Sequence, residues 1–424
     1  MKSIFKTNLF NVLLLGLAVS FYSCDSDDGG SDSGSQEDPY TLTGNITDNT
    51  TLTSDQVWTL KGRVSVVDGV TLTIEAGTVI KATAGTGADA STLIIARGGK
   101  IDAQGTASNP IIMTSASDNI LAGGSYPSSG PALGVGTRGL WGGLLILGNA
   151  PCSFKNDVTE LQIEGIPTSD TNGLYGGSNP ADNSGTISYL SIRHGGAEIG
   201  EGNEINGLTL GGVGSGTTIN NVEVVANVDD GIEFFGGTVN ASNLLVWGQG
   251  DDGIDIDQAY SGTITNAMVV LTEASDHAFE IDGPEGSAPG SFTINGATII
   301  GTNDDCAATG VDGEMADYRK GATGATNNIY VLDFTAGKDV ELDASADATS
   351  YTAGTLTFSN WDIQYPLADD NSVCEGETVD KIFDDKSDES TFEADAATWA
   401  EIVTDKKADA GADESAFAWT FYKS

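Results

Sequence analysis

The chain has 424 residues and a formal charge of −43, with 61 acidic against 18 basic side chains, 56 Gly and few aromatics. So acidic a surface excludes nucleic acid as a partner, and the composition suits a turn-rich β protein rather than a helical bundle. Two histidines, His194 and His277, leave little room for zinc sites or histidine-based triads.

Residues 1–23 read as a secretory signal, with Lys2 and Lys6, an apolar stretch from Leu9 to Tyr22, and Cys24 directly after it. Phe21-Tyr22-Ser23-Cys24 resembles a bacterial lipobox of the relaxed kind found in Bacteroidota, which implies acylation of Cys24 and a membrane anchor through that lipid. An ordinary signal peptide that contains a cysteine is the alternative. Residues 24–39 are acidic and Gly/Ser-rich, bury nothing, and are expected to form a flexible tether. That acidic run behind the cysteine resembles the export signal of Bacteroidota lipoproteins, and the resemblance implies the outer face of the outer membrane. It is no EF-hand loop, since Gln36 stands where the closing Glu is needed. No later apolar run is long enough to span a bilayer.

From residue 40 to 367 short β-branched runs alternate with Gly, Asp-Gly and Ala-Gly turns: Val64-Ser65-Val66-Val67, Leu72-Thr73-Ile74, Thr78-Val79-Ile80, Leu93 to Ala96 and Pro110 to Met113. Their nearly continuous apolar character is that of parallel strands covered on both faces. Residues 115–139 break the rhythm and are expected to project as a loop; Trp141 to Pro151 resumes it. Between Gly216 and Asp282 one phrase then returns: Asp229-Asp230-Gly231-Ile232-Glu233-Phe234, Asp251-Asp252-Gly253-Ile254-Asp255-Ile256 and Asp276-His277-Ala278-Phe279-Glu280-Ile281. Repeats of this length without helical periodicity mark a solenoid, here an all-β parallel β-helix.

Side chains alternate along a strand. With Ile232, Phe234, Ile254, Ile256, Phe279 and Ile281 inward, the carboxylates of Asp229, Glu233, Asp251, Asp255, Asp257, Asp276, Glu280 and Asp282 stand on one outer face. Coils stack ~4.8 Å apart, so neighbouring carboxylates repel by roughly 1 kcal/mol in water and by several times that where water is excluded. Ca²⁺, which takes several oxygen ligands in variable geometry, is the candidate that offsets this repulsion; solvation with diffuse counterions is the alternative. Asp230 and Asp252 have inward parity and are assigned to capping turn amides. Asn220, Asn240, Asn266 and Asn295 are expected to form a hydrogen-bonded ladder.

Thr71 to Ile80, Gly98 to Ile101, Trp141 to Pro151 and Asp229 to Thr238 resemble a widespread family of Bacteroidota surface proteins over the whole mature chain. The resemblance implies a right-handed parallel β-helix and no particular activity. Residues 368–424, rich in Asp, Glu, Ala and Lys, are expected to cap the solenoid end, with 391–405 helical and 417–421 a final strand. Of the remaining cysteines, Cys306 and Cys374 lie in loop-like sequence and are the favoured disulfide, Cys152 being left over.

Three functions compete. The first is a binding or scaffold module for carbohydrate or another surface component, assisted by calcium, with Trp247 and Trp361 as candidate sugar-stacking platforms. The second is an enzyme. Gly250-Asp251-Asp252-Gly253-Ile254 resembles the aspartate pair of polygalacturonases, with His277 one coil on, although the family's Asn-Thr-Asp element is missing; a lyase would instead draw on Ca²⁺ and on Arg319 or Lys320 as base. The third is a structural or accessory subunit bound to an outer-membrane protein.

Overall fold

The computed structural model describes residues 38–198, 204–302, 313–366 and 376–424. The signal segment, Cys24, Cys306 and Cys374 lie outside these residues. From Thr41 to Ile402 the chain winds as a parallel β-helix, as the repeats predict: each strand of a 24-stranded sheet pairs with strands one coil away. An insertion supplies the antiparallel pair Leu161–Gln162 with Leu174–Tyr175.

Each central coil has a short strand (Ile232–Phe235, Ile254–Asp257, His277–Asp282) and a long one (Asn240–Trp247, Thr263–Val270, Phe292–Ile300). Ile232, Phe234, Ile254, Ile256, Phe279 and Ile281 all point into the bore and are buried, in the predicted phase. From Thr218 onward every long strand bends once, at a residue in the left-handed region: Asn221, Asn243, Asn266, Gly296, Asn328 and Asn360, with φ between 53° and 76°. Asparagine tolerates that region better than other side chains, and its amide then bonds along the stack. Asn243 Nδ2 donates to Asn221 Oδ1 at 3.2 Å, and Asn266 Nδ2 to Asn243 Oδ1 at 2.6 Å.

The ladder is therefore not the one expected. Asn220 and Asn295 belong to the paired column before the bend, Asn220–Ser242–Thr265–Asn295, and Asn240 pairs with Thr218. Of the four only Asn266 is a rung. Adjacent asparagines, as at 220–221, hide which of the two takes the unpaired position.

Residues 115–139 do not project. The loop lies along the coils, Ile120 packing on Val79 and Ile112 while Arg138 donates to the Gly248 carbonyl at 2.7 Å and to Thr272 Oγ1 at 2.9 Å. His194 is a buried turn residue with φ 63°, its Nδ1 2.8 Å from the Thr137 carbonyl. Neither tryptophan offers a platform. Trp361 is fully buried beside Phe383, and Trp247 packs on Phe421 and Tyr422; Trp141 lies in the core and donates to the Arg193 carbonyl at 2.7 Å.

Winding also continues beyond 367. Phe383–Asp385 pairs with Val340–Leu342, and Ala400–Ile402 with Trp361–Ile363. The expected helix shrinks to Phe392–Ala396, whose Phe392 packs edge-on against Phe383 and at a tilt against Phe358 and Trp399 to close the end of the bore. The expected final strand does not form: Glu414–Phe417 is a 3₁₀ turn, and turns and bends follow it to the end of the chain.

The Asn243→Ala variant should lose about 2 kcal/mol in urea unfolding, combining two ladder bonds with the strain of a Cβ residue at positive φ. Asn243→Gly, which relieves the strain alone, should recover roughly half.

Candidate functional site

The outer face of the short strands carries one column traceable through the whole helix: Ser65, Ile94, Leu145, Thr209, then Glu233, Asp255, Glu280, Asp317, Glu341 and Asp384. Upstream it is uncharged and buried. The insertion packs Phe154, Ile163, Ile166 and Tyr175 over Ile94, Leu145 and Phe235, and is held there by the ion pairs Arg63–Asp170 (3.2 Å) and Arg97–Glu160 (2.7 Å). Downstream of Thr209 every register position is acidic.

A second ladder runs along the turns before these strands. Asp230 Oδ1 accepts the Asp252 backbone N–H at 2.9 Å, and Asp252 Oδ1 accepts the His277 backbone N–H at 2.8 Å and lies 2.9 Å from its Nδ1. Asp230 and Asp252 thus cap amides of the next coil, yet their carboxylates also face the acidic columns. Three groups result, the first two sharing Asp230: Asp229 with Asp230 and Asp251, Asp230 with Glu233 and Asp255, and Asp252 with Asp276 and His277. In each, one ligand atom per residue lies within 4.8 Å of the others. Oxygens on opposite sides of one Ca²⁺ are about 5 Å apart, so this is the spacing of a shared cation shell.

Burial and mutual repulsion act together on these acids. Burial, followed by the charge of Asp255, pushes Asp230 and Glu233 well above the usual carboxylate range; burial and then Asp252 do the same to Asp255. Burial and neighbouring aspartates raise Asp229, Asp251 and Asp257 to about 6, and burial raises Asp317 to about 7. For His277 burial pulls downward, but the Asp252 hydrogen bond and the charges of Asp252, Asp276 and Asp317 outweigh it and lift the imidazole to about 9. Asp255 Oδ1 and Asp317 Oδ1 are buried without a hydrogen-bond partner.

All eight residues expected on the face are there, although Glu233, Glu280 and Asp282 are buried beneath neighbouring segments rather than open to solvent. Asp251 and Asp276 are exposed at its rim. Arg319 and Lys320, whose position the sequence left open, reach the same face. Arg319 follows Asp282 in register and pairs with both Glu280 and Asp282 (Nε to Oδ1, 2.8 Å), while Lys320 pairs with Asp282.

Sequence reasoning missed Asn206, Glu164, Asp317, Glu341 and Asp384. Asn206 is buried, donates to Glu233 and keeps an unpartnered Oδ1. Glu164 arrives on the insertion. The residue as a whole stays exposed, but local loss of water around its carboxyl, with the charges of Asp229 and Asp257, raises it to about 7. Continuing the repeat past Asp282 would have found Asp317, Glu341 and Asp384; no local signal marks Glu164.

Elsewhere, a groove of about 450 Å³ is lined by Thr218, Asn220, Asn240, Ser242, Thr263 and Thr265 and holds no titratable group. A second groove, at the C-terminal end, is lined by Asp362 and Glu401, whose carboxylates Lys407 already pairs, so the acidic face holds the larger set of uncompensated acids.

The profile of the family described as a pectate-lyase like β-helix domain matches residues 44–420, and the chain belongs to that family. No curated protein and no solved structure matches significantly.

The raised acids carry a pH signature. Below about pH 4 they are protonated in both folded and unfolded chains. Between there and about pH 7 the folded chain holds protons the unfolded chain has released, so stability falls as pH rises. His277 acts in the same direction, its stabilising contribution present below about pH 6.5 and lost as pH rises through about 9. In chelator, the melting temperature should therefore decline steadily from pH 4.5 to 7.5; a flat or rising profile would mean the carboxylates are not crowded in solution.

Proposed function

We propose that the acidic face binds divalent cations, Ca²⁺ in the first place, and through them an acidic polysaccharide or another anionic surface component. The chain would act as a binding and scaffold module carried on the cell surface of a Bacteroidota bacterium by a lipid on Cys24. One contrast carries this reading. From Glu280 onward the protein neutralises the acidic face with its own cations at every position but Asp317: Arg319 and Lys320 on Glu280 and Asp282, Lys338 on Glu314 (3.0 Å), and Lys386 on Glu341 and Asp384 (2.6 Å each). Among the described residues no ion pair reaches Asp229, Asp230, Glu233, Asp251, Asp255 or Asp257. Charges left uncompensated in a partly dry site are costly, and a cation with oxygen ligands is the chemistry that fits them.

A second reading, a polysaccharide lyase or glycoside hydrolase, is favoured by Arg319 and Lys320 standing beside Glu280 and Asp282 and by the family. Their present state weighs against it. Arg319 is engaged by two carboxylates, and although burial opposes it, the Asp282 hydrogen bond and charge raise Lys320, so that it is protonated at neutral pH and no base.

Calorimetry with CaCl₂ at pH 7.5 should show binding, and a Ca²⁺ concentration 100 times the dissociation constant should stabilise the fold by about 2.7 kcal/mol. Asp255→Asn should weaken binding at least about tenfold while raising stability in chelator, because a repelling charge is gone. No effect of Asp255→Asn on either measure would refute the site. A polysaccharide panel with and without calcium then separates the readings: calcium-dependent retention supports binding, release of unsaturated or reducing ends establishes the enzyme, and co-purification with an outer-membrane barrel alone favours an accessory subunit.

A further inference from the structure

On the long strands, a different outward column reads Glu223, Leu245, Met268, Thr298, Tyr330 and Asp362, one residue per coil. Its middle is apolar and its two ends are buried carboxylates, Glu223 and Asp362 at 0% and 1% exposure. An apolar stripe on the outside of a solenoid, bounded by buried charge, needs a cover.

The cover is the chain's own C-terminus, and it matches the column position by position in reverse order. Lys407 Nζ meets Asp362 Oδ1 at 2.8 Å. Ala410 and Val403 pack on Tyr330, and the Ala412 N–H donates to Thr298 Oγ1 at 2.9 Å. Phe417 is fully buried with Leu245 and Met268, and the Tyr422 N–H donates to Glu223 Oε1 at 3.0 Å. The last residues reach a buried network: Arg193 lies 4.4 Å from the Phe421 ring centre and bonds Ser191, which bonds Glu223 at 2.6 Å.

Gly411 shows how close the approach is. At φ 68° a Cβ there would fall 2.6 Å from both Thr298 Oγ1 and Tyr330 Cβ. These contacts are side-chain packing and single hydrogen bonds, with no strand pairing beyond Ile402. We infer that the outer stripe from Glu223 to Asp362 is a docking groove and that residues 405–424 are its separable occupant, a strap that binds across stacked coils and ties them together. Only coils in register present the alternation of acid, apolar and acid that the strap reads. This inference is independent of the acidic face.

A protease site inserted between Thr404 and Asp405, both exposed, lets the full chain fold before the strap is cut. After cleavage at micromolar concentration the strap should co-elute with the solenoid and exchange with a labelled synthetic peptide of residues 405–424. Removing it by dilution should leave the β circular dichroism intact while dye binding to apolar surface rises. Amide exchange should then speed up in Thr218–Val225, Asn240–Trp247 and Thr263–Val270. A peptide carrying Gly411→Ala should bind at least about tenfold more weakly. The inference fails if the cut strap leaves at once without altering exchange in those strands, if it never exchanges, or if its release melts the solenoid.

Discussion

Register between stacked coils is the constraint on which everything else rests. A parallel β-helix gives each coil no independent core, so an apolar side chain is buried only if the coils above and below place another over it. The bore meets this condition with Ile232, Ile254 and Phe279 in one column and Phe234, Ile256 and Ile281 in the next. The same stacking that rewards like on like inside imposes like on like outside, and there it brings carboxylate over carboxylate.

The outer columns resolve that conflict in three ways. Asparagines turn repetition into a ladder, because an amide both donates and accepts and so tolerates its own kind. Most of the C-terminal part of the acidic face is neutralised by lysines and an arginine. Around Glu233 and Asp255 neither device operates, and burial with mutual repulsion pushes the carboxyls upward so that they hold their protons longer. Function is most readily sought where the structure leaves its own electrostatics unresolved.

Much of this was legible beforehand. The repeated Asp-Gly-Ile phrase defines period, strand parity and the acidic face together, since a period-two alternation and a fixed repeat length leave one consistent stacking. The bend residues escaped because the left-handed position consumes one residue without pairing it, and the Asn220-Asn221 pair does not say which. Trp361 and Trp247 look like exposed aromatics only while the last coil and the returning tail are unknown. Glu164 comes from the insertion, for which sequence distance says nothing about spatial distance, whereas Asn206 stands one coil before Asp230 in the same register and escaped because an amide there replaces the carboxylate of the repeated phrase.

Composition, turn chemistry and periodicity by themselves determined a parallel β-helix with an acidic outer wall, because each depends on neighbours in sequence or on one repeat length. Which acids are neutralised, which are buried, and which outer stripe the tail covers were decided by the tertiary structure alone. Those outcomes depend on where the insertion, the 115–139 loop and the C-terminal strap cross the coils, and nothing periodic encodes such crossings.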